Sequence, residues 1–152
     1  MKWKENIMSI KAYQPGRTID EVKKQFGLEK ITKLASNENP YGCSPTVKEA
    51  IEKFDESFAL YPDGAASLLK EALAKHTELP KEQIILGNGS DEIISIISRA
   101  LLKPGVNTVM ANPTFSQYKH NALVENAQVK EVPLQEGSHD LEAMLAAVDE
   151  NT

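Results

Sequence analysis

The residues best suited to chemistry lie between positions 83 and 94, where a short apolar run ends in two glycines and an apolar helix follows at once. Gly87 and Gly89 allow the backbone to come close to a ligand, and Ser90 adds a hydroxyl group. The first turn of a helix carries unpaired N–H groups and a partial positive charge, which suits an anion such as phosphate. A tight turn that binds nothing explains the same residues, and the turn alone does not decide between the two.

This turn lacks the marks of the common nucleotide-binding loops. In a P-loop the second glycine is followed by a lysine and then by a Ser or Thr. Residues 87–92 contain no lysine. A dinucleotide-binding turn needs a third glycine, where this chain has Glu92. It also needs an acid at the end of the next strand, where the chain reads Ala111-Asn112-Pro113. Nucleotides and S-adenosylmethionine are therefore disfavoured.

The elements around the turn alternate between strands and helices, which predicts an α/β fold with a mostly parallel sheet. Ligands of such sheets bind at the carboxyl ends of the strands, so the glycine turn and Phe115 are predicted to share one edge. Three strands make a thin sheet, and we expect a longer protein of which this is the N-terminal piece. Strands are predicted at 83–86, 106–111 and 128–132, and the helices that follow them at 90–102, 114–125 and 139–149.

The first half of the chain reads as an arm and two helices. A short helix begins at Ile19 and ends at Gly27, and a brief strand is predicted at 31–34. Ser44 caps the next helix, with Pro45 in its first turn. Its apolar face is formed by Val47, Ala50, Ile51, Phe54 and Phe58. A further helix covers about 65–77, and its predicted buried residues are Leu68, Leu69, Ala72 and Leu73.

Composition bounds the functions that remain. The chain has 152 residues and a net charge of −5, which argues against nucleic acid or an anionic membrane as a partner. The single cysteine, Cys43, cannot form an internal disulfide, and residues 1–10 are too charged for a secretory signal. No apolar run approaches transmembrane length, and the three histidines have no metal-ligand spacing. We expect a cytoplasmic protein without a metal site.

Four motifs stand in a fixed order along the chain: Asn-Glu-Asn-Pro-Tyr-Gly at 37–42, Tyr-Pro-Asp at 61–63, Gly-Asn-Gly-Ser-Asp-Glu at 87–92 and Pro-Thr-Phe-Ser-Gln-Tyr at 113–118. Together they resemble the N-terminal part of the histidinol-phosphate aminotransferases, which are fold-type I pyridoxal-phosphate enzymes. The resemblance implies a three-layer α/β/α fold, of which this chain holds the first part. It places the arm and a segment of the small domain at 1–60, and the first part of the large pyridoxal-phosphate-binding domain at 61–152.

The resemblance also implies a cofactor site. In it the turn at Gly89, Ser90 and Asp91 holds the phosphate of pyridoxal 5'-phosphate, through the backbone N–H groups of the last two. Phe115 stacks on the pyridine ring, and Tyr61 reaches the phosphate held by the other subunit of a homodimer. Without the resemblance, Phe115 would be read as a core aromatic and Tyr61 as a solvated turn residue.

The implied reaction is transamination of histidinol phosphate with 2-oxoglutarate and glutamate as the other pair, in histidine biosynthesis. Tyr13 and Asn37 match positions that face the substrate. The family's Schiff-base lysine is missing, because none of the 15 lysines stands in a Ser-x-Ser-Lys-like setting. Three alternatives remain open: a threonine-phosphate decarboxylase, an aromatic aminotransferase, and a non-catalytic phosphate-binding α/β domain.

Overall fold

The computed structural model describes residues 2–12, 16–54 and 59–152, which pack as two units. The sheet unit consists of Met1–Tyr13 with Ile85–Thr152, and the helical unit consists of Gln14–Ile84. The helical unit holds the helices α1 (Ile19–Phe26), α2 (Pro45–Glu52) and α3 (Ser67–Thr77). The sheet unit holds, in chain order, α4 (Gly89–Leu101), β1 (Asn107–Asn112), α5 (Ser116–Val124), β2 (Gln128–Pro133) and α6 (Leu141–Ala146).

The sheet unit is organised around a parallel pair of strands. β1 pairs with β2 from Asn107 opposite Gln128 to Asn112 opposite Pro133, and α5 connects the two strands. The helix α5 packs against both α4 and β2, while α6 contacts β1. This arrangement is the α/β architecture with a parallel sheet that the sequence predicts. The buried apolar residues are Met110, Ala111, Ala122, Ala127 and Val132.

Hydrogen bonds of Asn6 and Asp149 fasten the first and last segments of the chain within this unit. Asn6, in the 3-10 helix Glu5–Ser9, donates through Nδ2 to the carbonyl oxygen of Leu123 at 2.7 Å, near the end of α5. Asp149 accepts from Lys130 Nζ at 2.6 Å and from the buried Asn107 Nδ2 at 2.8 Å. These hydrogen bonds lower the pKa of the Asp149 carboxyl, with the bond from Lys130 as the largest cause. The segment after α6 is therefore held against both strands.

The helical unit relies on local stop and start signals. Thr18 and Glu21 form a capping box at the start of α1, and Gly27 ends that helix in the left-handed conformation at φ 65°. Ser44 accepts from the Thr46 N–H at 3.3 Å and so caps α2, as predicted. None of the described residues in this unit is buried. The ends of α1 and the start of α2 thus follow from short-range sequence signals.

Several predicted features are wrong. Residues 83–86 and 31–34 form no strand: Ile84 has extended backbone angles, but no neighbouring strand pairs with it in the described part of the chain. A run of β-branched residues favours extended backbone, whereas a strand also requires a hydrogen-bonding partner. The described sheet therefore has two strands rather than three.

The predicted apolar faces of the helical unit are also largely exposed. Leu68 is 84% and Leu69 is 53% exposed, Ala72 is exposed, and only Leu73 is partly covered. The helix α2 ends at Glu52, so Phe54 lies beyond it, and Phe58 lies outside the described residues. Helical spacing places side chains on one face, but a second surface is needed to bury that face. The predicted domain boundary between residues 60 and 61 stays a prediction.

Candidate functional site

The glycine turn leads directly into α4. Gly89 is the first residue of the helix and has φ 75°, a left-handed conformation that glycine adopts without strain. Its N–H donates to the carbonyl oxygen of Gly87 at 2.9 Å, which closes the turn. The predicted helix start at residue 90 is therefore correct to within one position.

Glu92 reaches back to the start of its own helix. Its Oε2 accepts from the backbone N–H of Asn88 at 2.6 Å and from Asn88 Nδ2 at 3.0 Å. Side chains on a helix lean toward its N-terminus, which gives the carboxylate this reach. From the sequence, Glu92 was noted only as the residue that breaks a dinucleotide fingerprint. The acidic residue at the fourth helical position was the available signal for the role seen here.

The N–H groups left for a ligand are those of Ser90 and Asp91. The Asn88 N–H is taken by Glu92 and the Gly89 N–H by Gly87, whereas no side chain caps α4 in the described structure. The N–H groups of a first helical turn have no carbonyl partner one turn earlier, and the helix dipole favours an anion beside them. The geometry of the turn therefore suits an anionic group at the two predicted residues.

Gly87 has a packing role. A Cβ atom at this position would lie 2.9 Å from Ile93 Cδ1 and 3.3 Å from Glu92 Oε2. The first distance is closer than carbon atoms pack, so the two side chains of α4 would have to move. The motif predicted that this glycine allows close approach of a ligand, whereas its close neighbours in the structure belong to α4.

Phe115 lies in the same unit as the glycine turn. It occupies the N-cap position of α5, shortly after β1 ends, and 41% of its surface is exposed. Its ring meets that of Tyr118 edge to face, with the centroids 5.8 Å apart and an angle of 89° between the planes. Aromatic pairs favour this geometry, so Tyr118 supports the orientation of the Phe115 ring. The spacing of three residues across the first turn of α5 was the sequence signal for this pair.

The remaining predicted site residues belong to the helical unit or lie outside the residues that the structure describes. Tyr61 is 99% exposed and Asn37 is exposed, while Tyr13 lies outside the described residues. The turn that carries Tyr61 is tied down by Asp63, which accepts from the N–H groups of Ala65 at 2.9 Å and Ser67 at 2.8 Å. These bonds, with that from Ser67 first, lower the pKa of the Asp63 carboxyl.

The chain is similar to proteins of known family. The family model for aminotransferase class I and II matches residues 29–152. The chain is 58% identical over all 152 residues to a histidinol-phosphate aminotransferase from Bacillus cytotoxicus, and covers 41% of that protein. It is 59% identical over 150 residues to the Bacillus licheniformis enzyme of the same name, with 98% of this chain and 42% of that one covered. The chain thus spans about two fifths of the length of these curated relatives.

A solved structure gives the same result for the fold. The histidinol-phosphate aminotransferase from Sinorhizobium meliloti, determined in complex with pyridoxal-5'-phosphate, superposes with a TM-score of 0.84 at 25% identity. The match covers 99% of this chain and 40% of that chain. Among the described residues, every helix is too short or too polar to cross a membrane. On this evidence the chain belongs to the aminotransferase class I and II family.

Proposed function

We propose that this chain provides the phosphate turn and the ring platform of a pyridoxal-phosphate-dependent aminotransferase that acts on histidinol phosphate, with 2-oxoglutarate and glutamate as the other pair. The observation that carries the proposal is the 58% identity over all 152 residues to a relative of that name. The protein is also proposed to be cytoplasmic.

The turn at Gly89 is the proposed phosphate site. The N–H groups of Ser90 and Asp91 donate to the phosphate oxygens, and the positive end of the α4 dipole lies beside the negative charge. The Ser90 hydroxyl is exposed and adds a third donor. A phosphate ester has several acceptor oxygens, so it can take all three donors at once.

Phe115 is the proposed platform for the pyridine ring. Its partly exposed face accepts a flat ring, and the edge contact with Tyr118 keeps that face oriented. When bound, pyridoxal phosphate supplies the electron sink that amino-group transfer requires. The residues of this chain therefore bind and orient the cofactor, whereas the covalent chemistry needs a lysine that they do not supply.

Tyr61 is proposed to act in the dimer, and Asn37 is proposed to face the substrate. The hydroxyl of Tyr61 donates to the phosphate bound by the other subunit of a homodimer, which explains a fully exposed tyrosine on a turn held by Asp63. Asn37 and Tyr13 face the substrate in this proposal. In a full-length aminotransferase that carries this chain, Tyr61→Phe should weaken the free energy of cofactor binding by about 0.5–1.5 kcal/mol without unfolding the protein. Retention equal to that of the unmodified protein would contradict the shared site.

The missing lysine gives a direct test on the chain itself. None of its 15 lysines has the family's Ser-x-Ser-Lys-like context, so the 152-residue chain should form no stable covalent adduct with pyridoxal phosphate. Absorbance after mixing, followed by borohydride reduction and peptide mass analysis, is the measurement. One lysine labelled in stoichiometric amount would contradict the proposal.

Ser90→Glu tests the phosphate turn. The test uses a chimera, in which residues 1–152 replace the matching part of the 58% identical relative from Bacillus cytotoxicus. A carboxylate at the helix N-terminus occupies the donors and repels phosphate, so the variant should retain pyridoxal phosphate at least about tenfold less tightly. Cofactor titration by fluorescence measures the affinity. Ser95→Glu, further along the same helix, is the control, and equal affinity in all three proteins would place the phosphate elsewhere.

Product analysis separates this function from the alternatives. The chimera should form glutamate from 2-oxoglutarate when histidinol phosphate is present. Release of carbon dioxide from threonine phosphate would instead favour the decarboxylase. Preference for aromatic amino acids would favour the aromatic aminotransferase, and cofactor binding without turnover would favour a binding domain.

A further inference from the structure

We propose that Glu92 is a positioning residue for the phosphate turn, because it keeps the Asn88 side chain away from the N–H groups that the phosphate needs. The inference rests on the proposed function, since it concerns the same turn. Glu92 itself is not proposed to touch the cofactor. Its effect passes through Asn88.

Asn88 stands at the N-cap of α4, where asparagine normally bonds to the helix itself. An asparagine at the N-cap accepts, through its side-chain oxygen, from the N–H of the second or third helical residue. In α4 these are Ser90 and Asp91, the two groups assigned to the phosphate. A capping Asn88 would therefore compete with the phosphate for the same donors.

The structure shows that Asn88 does not cap. Its Nδ2 donates to Glu92 Oε2 at 3.0 Å, its backbone N–H donates to the same oxygen at 2.6 Å, and its side chain makes no capping hydrogen bond. The helix α6 shows the ordinary behaviour in the same unit: Asp140, at its N-cap, accepts from the Ala143 N–H at 2.9 Å. The difference lies in the glutamate that engages Asn88 from within α4.

Removing the carboxylate should therefore free Asn88 to cap the helix. Glu92→Ala should lower the affinity of the chimera for pyridoxal phosphate by about fivefold, the factor that corresponds to displacing one N-cap hydrogen bond. Its thermal stability should not fall, because the new cap replaces the lost contacts. Glu92→Gln keeps an acceptor oxygen for both donors and should bind the cofactor at least as tightly as the unmodified chimera.

A double variant isolates the competition. In the Glu92→Ala background, Asn88→Ala removes the competing side chain, so the affinity should return to within about twofold of the unmodified chimera. Glu142→Ala is the matched control, since Glu142 lies in the first turn of α6 and has no side-chain hydrogen bond in the described structure. Affinity for pyridoxal phosphate is measured by titration and stability by thermal unfolding.

The outcomes separate the possible readings. Tighter binding in both Glu92→Ala and Glu92→Gln would mean that the charge merely repels phosphate, and would overturn the proposal. Lower stability with unchanged affinity would mean a purely structural role and would also overturn it. If the unmodified chimera binds no cofactor, or Ser90→Glu has no effect, the proposed function fails first. If both behave as expected and Glu92→Ala does not, only this inference fails.

Discussion

The sheet unit and the helical unit differ in what holds their helices in place. In the sheet unit, α5 lies over β2 and beside α4, and Ala122 on α5 is completely buried. In the helical unit α1 and α2 have side-chain caps at their starts, yet no described residue there is buried. The difference shows that capping signals specify where helices begin and end, whereas a core requires neighbouring elements that cover their apolar faces.

The largest effect should come from enlarging a buried alanine, compared with the same change at an exposed alanine. Ala122→Leu adds three methylene-sized groups to a site with no free surface, so it should destabilise the sheet unit by about 1–3 kcal/mol. Ala72→Leu on the exposed face of α3 should change stability by no more than about 0.5 kcal/mol. Amide hydrogen exchange resolved to peptides measures each unit by itself. Equal effects would contradict the contrast between the units.

A second effect should depend on pH and be confined to the sheet unit. The pKa of Asp149 is lowered because its ionised carboxylate accepts from Lys130, Asn107 and the Asn151 N–H. The stabilisation is therefore complete above the ordinary aspartate pKa of about 3.9 and is lost as the pH falls from there toward the lowered value.

Asp149→Asn should flatten this acid dependence, because the variant has no carboxylate to protonate. Hydrogen exchange of the peptides around β1, β2 and the C-terminal segment, compared between near-neutral and acid pH, is the measurement. Asp20→Asn, on α1 in the helical unit, is the control. A variant of Asp149 with the same acid dependence as the unmodified chain would show that this network contributes nothing to the pH response.

A smaller effect is expected for the capping box of the helical unit. Thr18→Ala removes the side-chain acceptor for the Glu21 N–H and should destabilise α1 by about 1 kcal/mol. Because none of the described residues of the helical unit is buried, the loss should stay within α1 and leave exchange in α4 and α5 unchanged. Thr18→Ser keeps the acceptor and should behave like the unmodified chain. Faster exchange throughout the sheet unit would show that α1 is coupled to its core.

The smallest effect should come from a surface ion pair of the helical unit. Lys53 Nζ lies 2.6 Å from Glu49 Oε1, one helical turn away, and both side chains are largely exposed. Lys53→Ala should change stability by no more than about 0.5 kcal/mol, and added salt should remove the difference. A larger, salt-independent loss would mean that Lys53 packs against the protein through its aliphatic stem.

Sequence reasoning predicted the helices well because their signals are local. The predicted signals are Gly27, Ser44 with Pro45 and the Gly87–Gly89 pair, and each acts within one turn of chain. The capping box of Thr18 with Glu21 is equally local but was not predicted. The strands at 106–111 and 128–132 were also predicted, since each is followed by a helix. The strand predicted at 83–86 is absent, because an extended backbone becomes a strand only when another strand pairs with it.

The candidate site shows the same division. Sequence motifs predicted the glycine turn before a helix and singled out Ser90, Asp91 and Phe115. The roles of these residues at the cofactor remain proposals. The link from Glu92 to Asn88 was not predicted, since asparagine at an N-cap ordinarily bonds to the helix itself. Tyr118 was not predicted as a partner of Phe115 because the side-chain directions decide which residue a ring meets.

The sequence by itself determined where most helices start, that a glycine turn opens a helix suited to an anion, and that the chain resembles a family of pyridoxal-phosphate enzymes. Those properties depend on residues within a few positions of each other. Only the tertiary structure decided which apolar faces are buried, which extended segments pair, and which donors the turn leaves free. These properties depend on competition between partners that are distant in sequence, or between alternative hydrogen bonds of similar strength, and residue spacing does not resolve such competition.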